Sequence, residues 1–223
     1  MRHLYALLIA ILPVFAYGQD ALRKGHFEYG VFGGKQIFGK IYDERKMEAV
    51  SGWVAGIDLG YRDKSGISFH LQPNFSTFGS VWEIEESSTY HYRNEWKWSA
   101  VNVPLTARYT LGKGRVRPFA EAGLNLRLRT RLSSGYEFLR CGFCCCHPKV
   151  GVDDMQERMT HDPANILAAI GAEIDFQSVT IPIALRLTEG IGTYDVKPDP
   201  TPGSGYGALK TRVVQVTAGI SIR

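Results

Sequence analysis

Every cysteine of this chain falls in the run Cys141-Gly142-Phe143-Cys144-Cys145-Cys146-His147, which brings four thiols and an imidazole into one short segment. Thiolate and imidazole are the usual ligands of tetrahedral zinc, and Cys141 and Cys144 have the C-x-x-C spacing of a zinc knuckle. Consecutive cysteines fit that chemistry poorly, because neighbouring side chains of an extended segment point apart and structural sites bring in a second, distant pair. Disulfides, from Cys141 to Cys144 or Cys145 or between molecules, fit better if the segment is exported into an oxidising setting. Metal ligation by Cys141, Cys144, Cys145, Cys146 and His147 is the secondary expectation, and no cofactor is implied.

Other reactive residue types are scattered. Ser68 and His70 share one face two residues apart, and His91 lies farther on, but the sequence alone sets no nucleophile, base and orienter together. Asp153, Asp154, Glu157, His161 and Asp162 crowd one segment without the spacing of a calcium loop, so a solvated acidic loop with one short helical turn is expected. Gly34-Lys35-Gln36-Ile37-Phe38-Gly39-Lys40 matches the start of a phosphate-binding loop. Ile41 then stands where Ser or Thr must hold magnesium, so the match is taken as accidental and the glycines as rim flexibility. Trp82, Tyr90, Tyr92, Trp96 and Trp98 fit an interfacial aromatic girdle better than a sugar platform.

The elements that carry these residues are strands. From Arg115 to Arg131, even positions read Val116, Pro118, Ala120, Ala122, Leu124, Leu126 and Leu128, while odd positions carry Arg115, Arg117, Glu121, Asn125, Arg127, Arg129 and Arg131. Alternation across a strand gives one apolar and one charged face. About 13 residues at about 3.3 Å each, tilted by about 45°, project to roughly 28 Å, which matches a bilayer core and exceeds an ordinary strand. The same period of two marks 26–35, where Phe32 breaks it, and also 52–62, 66–78, 97–111, 165–177, 179–189 and 211–222. Pro104 suggests a bulge in the fourth of these eight segments.

Short connections at 62–66, 112–114 and 177–178 alternate with long ones at 36–51, 79–96, 132–164 and 190–210. An up-and-down outer-membrane barrel has this pattern, with short periplasmic turns, long extracellular loops and both termini periplasmic. The fold class expected is therefore all-β, an eight-stranded antiparallel up-and-down transmembrane β-barrel with a plugged polar lumen. Eight strands leave room only for side chains inside. Glu28, Asp58, Glu121, Glu173 and Asp175 should neutralise Arg108, Arg117, Arg127, Arg129 and Arg186 there, beside His70, Gln72 and Asn74.

The first 18 residues form a separate element. Arg2 and His3, the apolar stretch Leu4 to Ala16, and Ala16-Tyr17-Gly18 before Gln19 make a secretory signal peptide, leaving a barrel domain over 19–223. Its removal takes one of the 26 Lys+Arg and none of the 22 Asp+Glu, so the barrel is near neutral. That balance gives no basic stripe for nucleic acid. No later apolar run is long and uncharged enough for a transmembrane helix.

Certain motifs resemble a known family. Val101-Asn102-Val103-Pro104-Leu105-Thr106-Ala107-Arg108-Tyr109 and Val116-Arg117-Pro118-Phe119-Ala120-Glu121-Ala122-Gly123 are similar to the x-x-P-L-x-x-x-Y … P-x-x-x-x-G core of the PorT-like outer-membrane β-barrels of Bacteroidetes-type bacteria. Ile170-Gly171-Ala172-Glu173, Leu185-Arg186-Leu187 before Gly190, and Thr217-Ala218-Gly219-Ile220-Ser221-Ile222 extend the resemblance over most of 26–223. It implies a small barrel in a family whose namesake serves a secretion and gliding apparatus. The ending Ile222-Arg223 departs from the aromatic close of many such barrels.

The function expected is structural or interactive: a monomer in the outer membrane, in contact with its lipids and lipopolysaccharide, offering long loops or its periplasmic rim to a protein partner. A lipid-modifying enzyme or narrow ion conductor on the same scaffold is the alternative. A soluble periplasmic barrel holding an apolar ligand is the third, and it would turn Leu124, Leu126 and Leu128 inward.

Overall fold

A computed structural model of the chain describes residues 25–39, 47–87, 90–141, 146–154, 164–176, 178–191 and 211–222. The expected leader, 1–18, lies outside them. The described residues form β1 (His26–Gly39), β2 (Met47–Arg62), β3 (Ile67–Leu71), β4 (Asn74–Ser87), β5 (Tyr90–Thr110), β6 (Val116–Cys141), β7 (Cys146–Asp154), β8 (Asn165–Phe176), β9 (Val179–Gly190) and β10 (Arg212–Ile222). All neighbours pair antiparallel, and β1 closes on β10 from Tyr29 opposite Ile222 to Gly39 opposite Arg212.

Nine of these ten stretches make a ring of eight. β3 and β4 are one wall strand: Leu59 faces Leu71 and Gly56 faces Asn74 with no register shift between them. The break at Gln72-Pro73 reflects only the missing proline N–H. The Pro73 carbonyl still accepts from the Ile57 N–H at 3.1 Å, and the Pro104 carbonyl from the Gln72 N–H at 3.0 Å. Pro104 itself sits in register opposite Asn125, so the bulge expected there does not occur. The bulge lies at Thr130, where Ser99 opposes Arg131 but Ala100 opposes Arg129.

β7 stands outside the ring. β6 pairs with β8 through the wall, from Val116 opposite Ile174 to Asn125 opposite Asn165, and with β7 beyond it, from Ser133 opposite Asp154 to Cys141 opposite Cys146. Two connections expected as loops are therefore largely strand: β4 and β5 remain paired up to Ser87 and Tyr90, and β6 with β7 forms a second projecting arm. Both arms are rich in aromatic and β-branched residues, which suit a pleated surface. At the opposite rim the turns are tight, and Gly66 and Gly112 adopt φ of 88° and 83°, a region open to glycine. In the first of these turns Ser65 and the adjacent backbone N–H groups hold the Asp63 carboxyl below its ordinary value.

The faces are inverted relative to a soluble protein. Leu124, Leu126 and Leu128 are 49%, 42% and 62% exposed, while Glu121 and Arg127 on the same strand are 3% and 7% exposed. Val31, Ile57, Leu105, Ile170, Leu185 and Ile220 continue the outward apolar belt around the ring. Phe32, which interrupts the alternation in β1, keeps strand parity and points into the lumen.

Candidate functional site

The site is the lumen, filled by one residue in two from every wall strand. Near the rim with the short turns, Arg62 donates through Nε and Nη2 to Glu28 at 2.7 and 3.1 Å, through Nη2 to Glu173 at 2.6 Å and through Nη1 to Thr110 at 2.9 Å. Arg108 donates from Nε and Nη2 to Glu121 Oε2 at 2.9 and 2.7 Å, and from Nη1 to Glu173 at 3.1 Å. Its guanidinium also lies 4.3 Å from the Phe119 ring centre. Arg117 bridges Glu173 at 3.0 Å and Asp175 at 2.7 Å. Glu173 thus joins guanidiniums carried by β2, β5 and β6.

Arg186 is held more loosely. Its Nη2 is 3.5 Å from Glu121 Oε1, and its guanidinium is 5.2 Å from the Phe32 ring centre. A cavity of about 10 Å³, room for one water, touches Asp58, Gln72, Arg108 and Arg186. Gln72 Oε1 and Arg186 Nε are both buried without a protein partner.

Glu28, Asp58, Arg108, Arg117, Glu121, Arg127, Glu173, Asp175 and Arg186 all fall on the inner face, as the alternation predicts. They do not form one cluster. Arg127 belongs to an upper group, donating to Asn102 Oδ1 at 3.1 Å and lying 4.9 Å from the Phe78 ring centre. Asn102 in turn donates to Asn74 and Ser76 at 3.0 and 2.8 Å. The side chain of Arg129 lies outside those described. Arg131 is a correction: the bulge at Thr130 reverses the alternation and sends it to the outer face. Arg62 is not among the expected lumen residues, because it closes an apolar run and resembles a turn residue. Its parity with Asp58 and Gly60 is the signal that finds it.

Asp58 meets a histidine. His70 Nδ1 is 2.9 Å from Asp58 Oδ1, and His70 Nε2 is 2.9 Å from Ser68 Oγ. The orienter that the sequence did not supply is therefore present, brought across from β2. Ser68, however, is 0% exposed, and Arg62 and Arg108 stand opposite it on the neighbouring strands. A carbonyl substrate needs space about 3 Å from such a nucleophile, so the chain of three acts here as a hydrogen-bonded staple between β2 and β3.

The upper lumen is capped by rings. Phe78 stacks on Trp98 at 5.2 Å and 22°, and Trp96 meets Trp98 edge-on at 5.9 Å. This corrects the expected girdle: Trp96 and Trp98 are buried inside, and the side chains of Trp82 and Tyr90 lie outside those described. Outward aromatics stand instead at the short-turn rim, in Phe27, Tyr29, Phe69, Tyr109 and Phe176, and higher on the wall in Trp53 and Phe75, 5.4 Å apart.

Cys141 and Cys146 oppose each other at the end of the β6–β7 arm, so the register favours that pair over Cys141 with Cys144 or Cys145. Cys144 and Cys145 lie outside the described residues, as do Glu157, His161, Asp162 and the side chains of Cys141, Cys146, His147, Asp153 and Asp154. Among the described residues no group of three His, Cys, Asp or Glu could hold a metal. Gly34 to Gly39 is strand and not a flexible rim, and a Cβ on Gly34 would crowd the Val216 and Thr217 backbone.

No family model matches the sequence, and no curated protein matches it. Among solved structures the chain is similar to Neisserial surface protein A, with 12% identity, 89% of this chain and 97% of that chain covered, and a TM-score of 0.46. It is also similar to the N-terminal β-barrel domain of Pseudomonas aeruginosa OprF, with 10% identity, 88% and 99% covered, and a TM-score of 0.36. A third is Ail, the attachment invasion locus protein of Yersinia pestis, with 11% identity, 89% and 99% covered, and a TM-score of 0.35.

Proposed function

We propose that this chain is a small bacterial outer-membrane barrel, PorT-like, that works through its surface and not through its lumen. The observation that carries this is the inversion of faces: a closed ring turns its leucines and isoleucines outward and its ion pairs inward. A closed sheet is the only β-structure that satisfies its backbone within lipid. The lumen is occupied by five carboxylates, those of Glu28, Asp58, Glu121, Glu173 and Asp175, and by the guanidiniums of Arg62, Arg108, Arg117, Arg127 and Arg186, beneath a cap of rings. That filling opposes a porin role, and the burial of Ser68 opposes a hydrolytic one. A soluble carrier of apolar ligands would need the opposite facing.

The chain is then a monomer set among outer-membrane lipids and lipopolysaccharide after its leader is cleaved. Its two β-arms offer an extended surface to a protein partner outside, and the short-turn rim offers a second one in the periplasm. Membrane fractionation with a heat-shift gel tests this. The expected result is an outer-membrane band that migrates faster unboiled than boiled; a periplasmic or unshifted band would falsify the proposal.

A further inference from the structure

β6 changes the facing of its charges at Thr130. The extra residue opposite the Ser99–Ala100 step takes Arg131 out of the lumen series and stands it on the outer face beside Ser99. One row farther from the short-turn rim, Lys97 is opposite Ser133 on the same face. Arg131 and Lys97 are exposed, and Ser99 and Ser133 partly so. With strands about 4.8 Å apart and same-face residues about 6.8 Å apart, a guanidinium, an ammonium and two hydroxyls occupy a block of phosphate dimensions.

The height of this block selects its ligand. Immediately below it, Val101, Val103 and Leu105 on β5 and Leu128, Leu126 and Leu124 on β6 form a continuous apolar strip. The run Val116–Leu128 spans roughly 28 Å of bilayer when tilted, so Arg131 and Lys97 stand where the hydrocarbon of the outer leaflet meets its headgroups. On the β9–β10 pair, across β8, the outward arginine is neutralised, Arg212 donating to both oxygens of Glu189 at 3.2 Å. On β5–β6 Asp154 of β7 stands opposite Ser133, and Glu95 lies 3.2 Å from a Lys97 ammonium that is 66% exposed. A solvated pair of that kind is weak and yields to a better anion. Arginine and hydroxyl donors suit phosphate oxygens.

We infer that Arg131, Lys97, Ser99 and Ser133 form a binding site for the phosphate of a phosphorylated outer-leaflet glycolipid, whose acyl chains lie along the leucine strip below. The inference rests on the membrane reading proposed above and adds the site to it. The test uses the full chain, folded and heat-shifted, in nanodiscs doped with bis-phosphorylated lipid A or with its dephosphorylated form. Retained lipid is measured by native mass spectrometry. Wild type should hold the phosphorylated lipid preferentially, and the double substitution Lys97→Gln with Arg131→Gln should weaken that hold about 30-fold, at about tenfold or less per charge. Arg115→Gln, at the opposite rim, should leave retention unchanged. A folded double variant that retains the phosphorylated lipid like wild type overturns the site, as does a wild type indifferent to the phosphates. A wild type that gives no heat-shifted band overturns the membrane reading and the site together.

Discussion

Glu173 and Arg186 differ in how well they are partnered, and the difference sets opposite expectations for their removal. Glu173 accepts from Arg62, Arg108 and Arg117, at 2.6, 3.1 and 3.0 Å. Replacing it by Gln strips a charge from a buried network, which costs about 3–5 kcal/mol when a partner is lost outright. Each of the three arginines keeps a second carboxylate, Glu28, Glu121 or Asp175, so the lower end, about 3 kcal/mol, is expected. Arg186 has one acid at 3.5 Å and an unpartnered Nε. Arg186→Met should therefore change stability by no more than about 1 kcal/mol, because relief from desolvation offsets the weak pair. Urea midpoints of the detergent-folded protein check the order. Equal losses would mean that burial, and not pairing, governs the plug.

At the scale of the strand, β6 decides most. Its alternation puts Leu126 outward and Arg127 inward, and neither residue can exchange faces without moving the whole strand by one. Leu126 lies between the midplane and the outer end of the 116–128 span, so Leu126→Arg should cost about 1–2 kcal/mol of membrane assembly. Arg127→Gln should leave assembly intact, because the amide can still meet Asn102. A silent Leu126→Arg in a heat-shift folding assay would mean that this face does not meet lipid. The same strand shows where local patterning stops. Nothing in the residues around Thr130 announces the bulge, which depends on how β6 fits β5 across 21 paired positions. Pro104 advertises a bulge and has none, because its missing N–H is accommodated within an unshifted ladder.

As a whole molecule the barrel is a sealed cylinder with two β-arms. Planar-bilayer recordings should show no porin-like conductance, and large, steady channels in the wild type would overturn the plugged lumen. The eight-stranded closure and the division into outward apolar and inward charged faces were both legible in the residues. A period of two is a local property, and an apolar stripe of bilayer length has few other uses. The placement of Glu28, Glu121, Glu173 and Arg108 inside followed from parity alone. Which charges touch did not follow. The Arg62–Glu28 and Arg62–Glu173 contacts, the Asp58–His70–Ser68 chain and the Phe78–Trp98 cap join strands far apart in sequence, and their meeting depends on shear and register around the ring. The extension of the arms was hidden for another reason, since above the membrane no lipid enforces alternation. Face is written residue by residue; contact between faces exists only once the ring has closed.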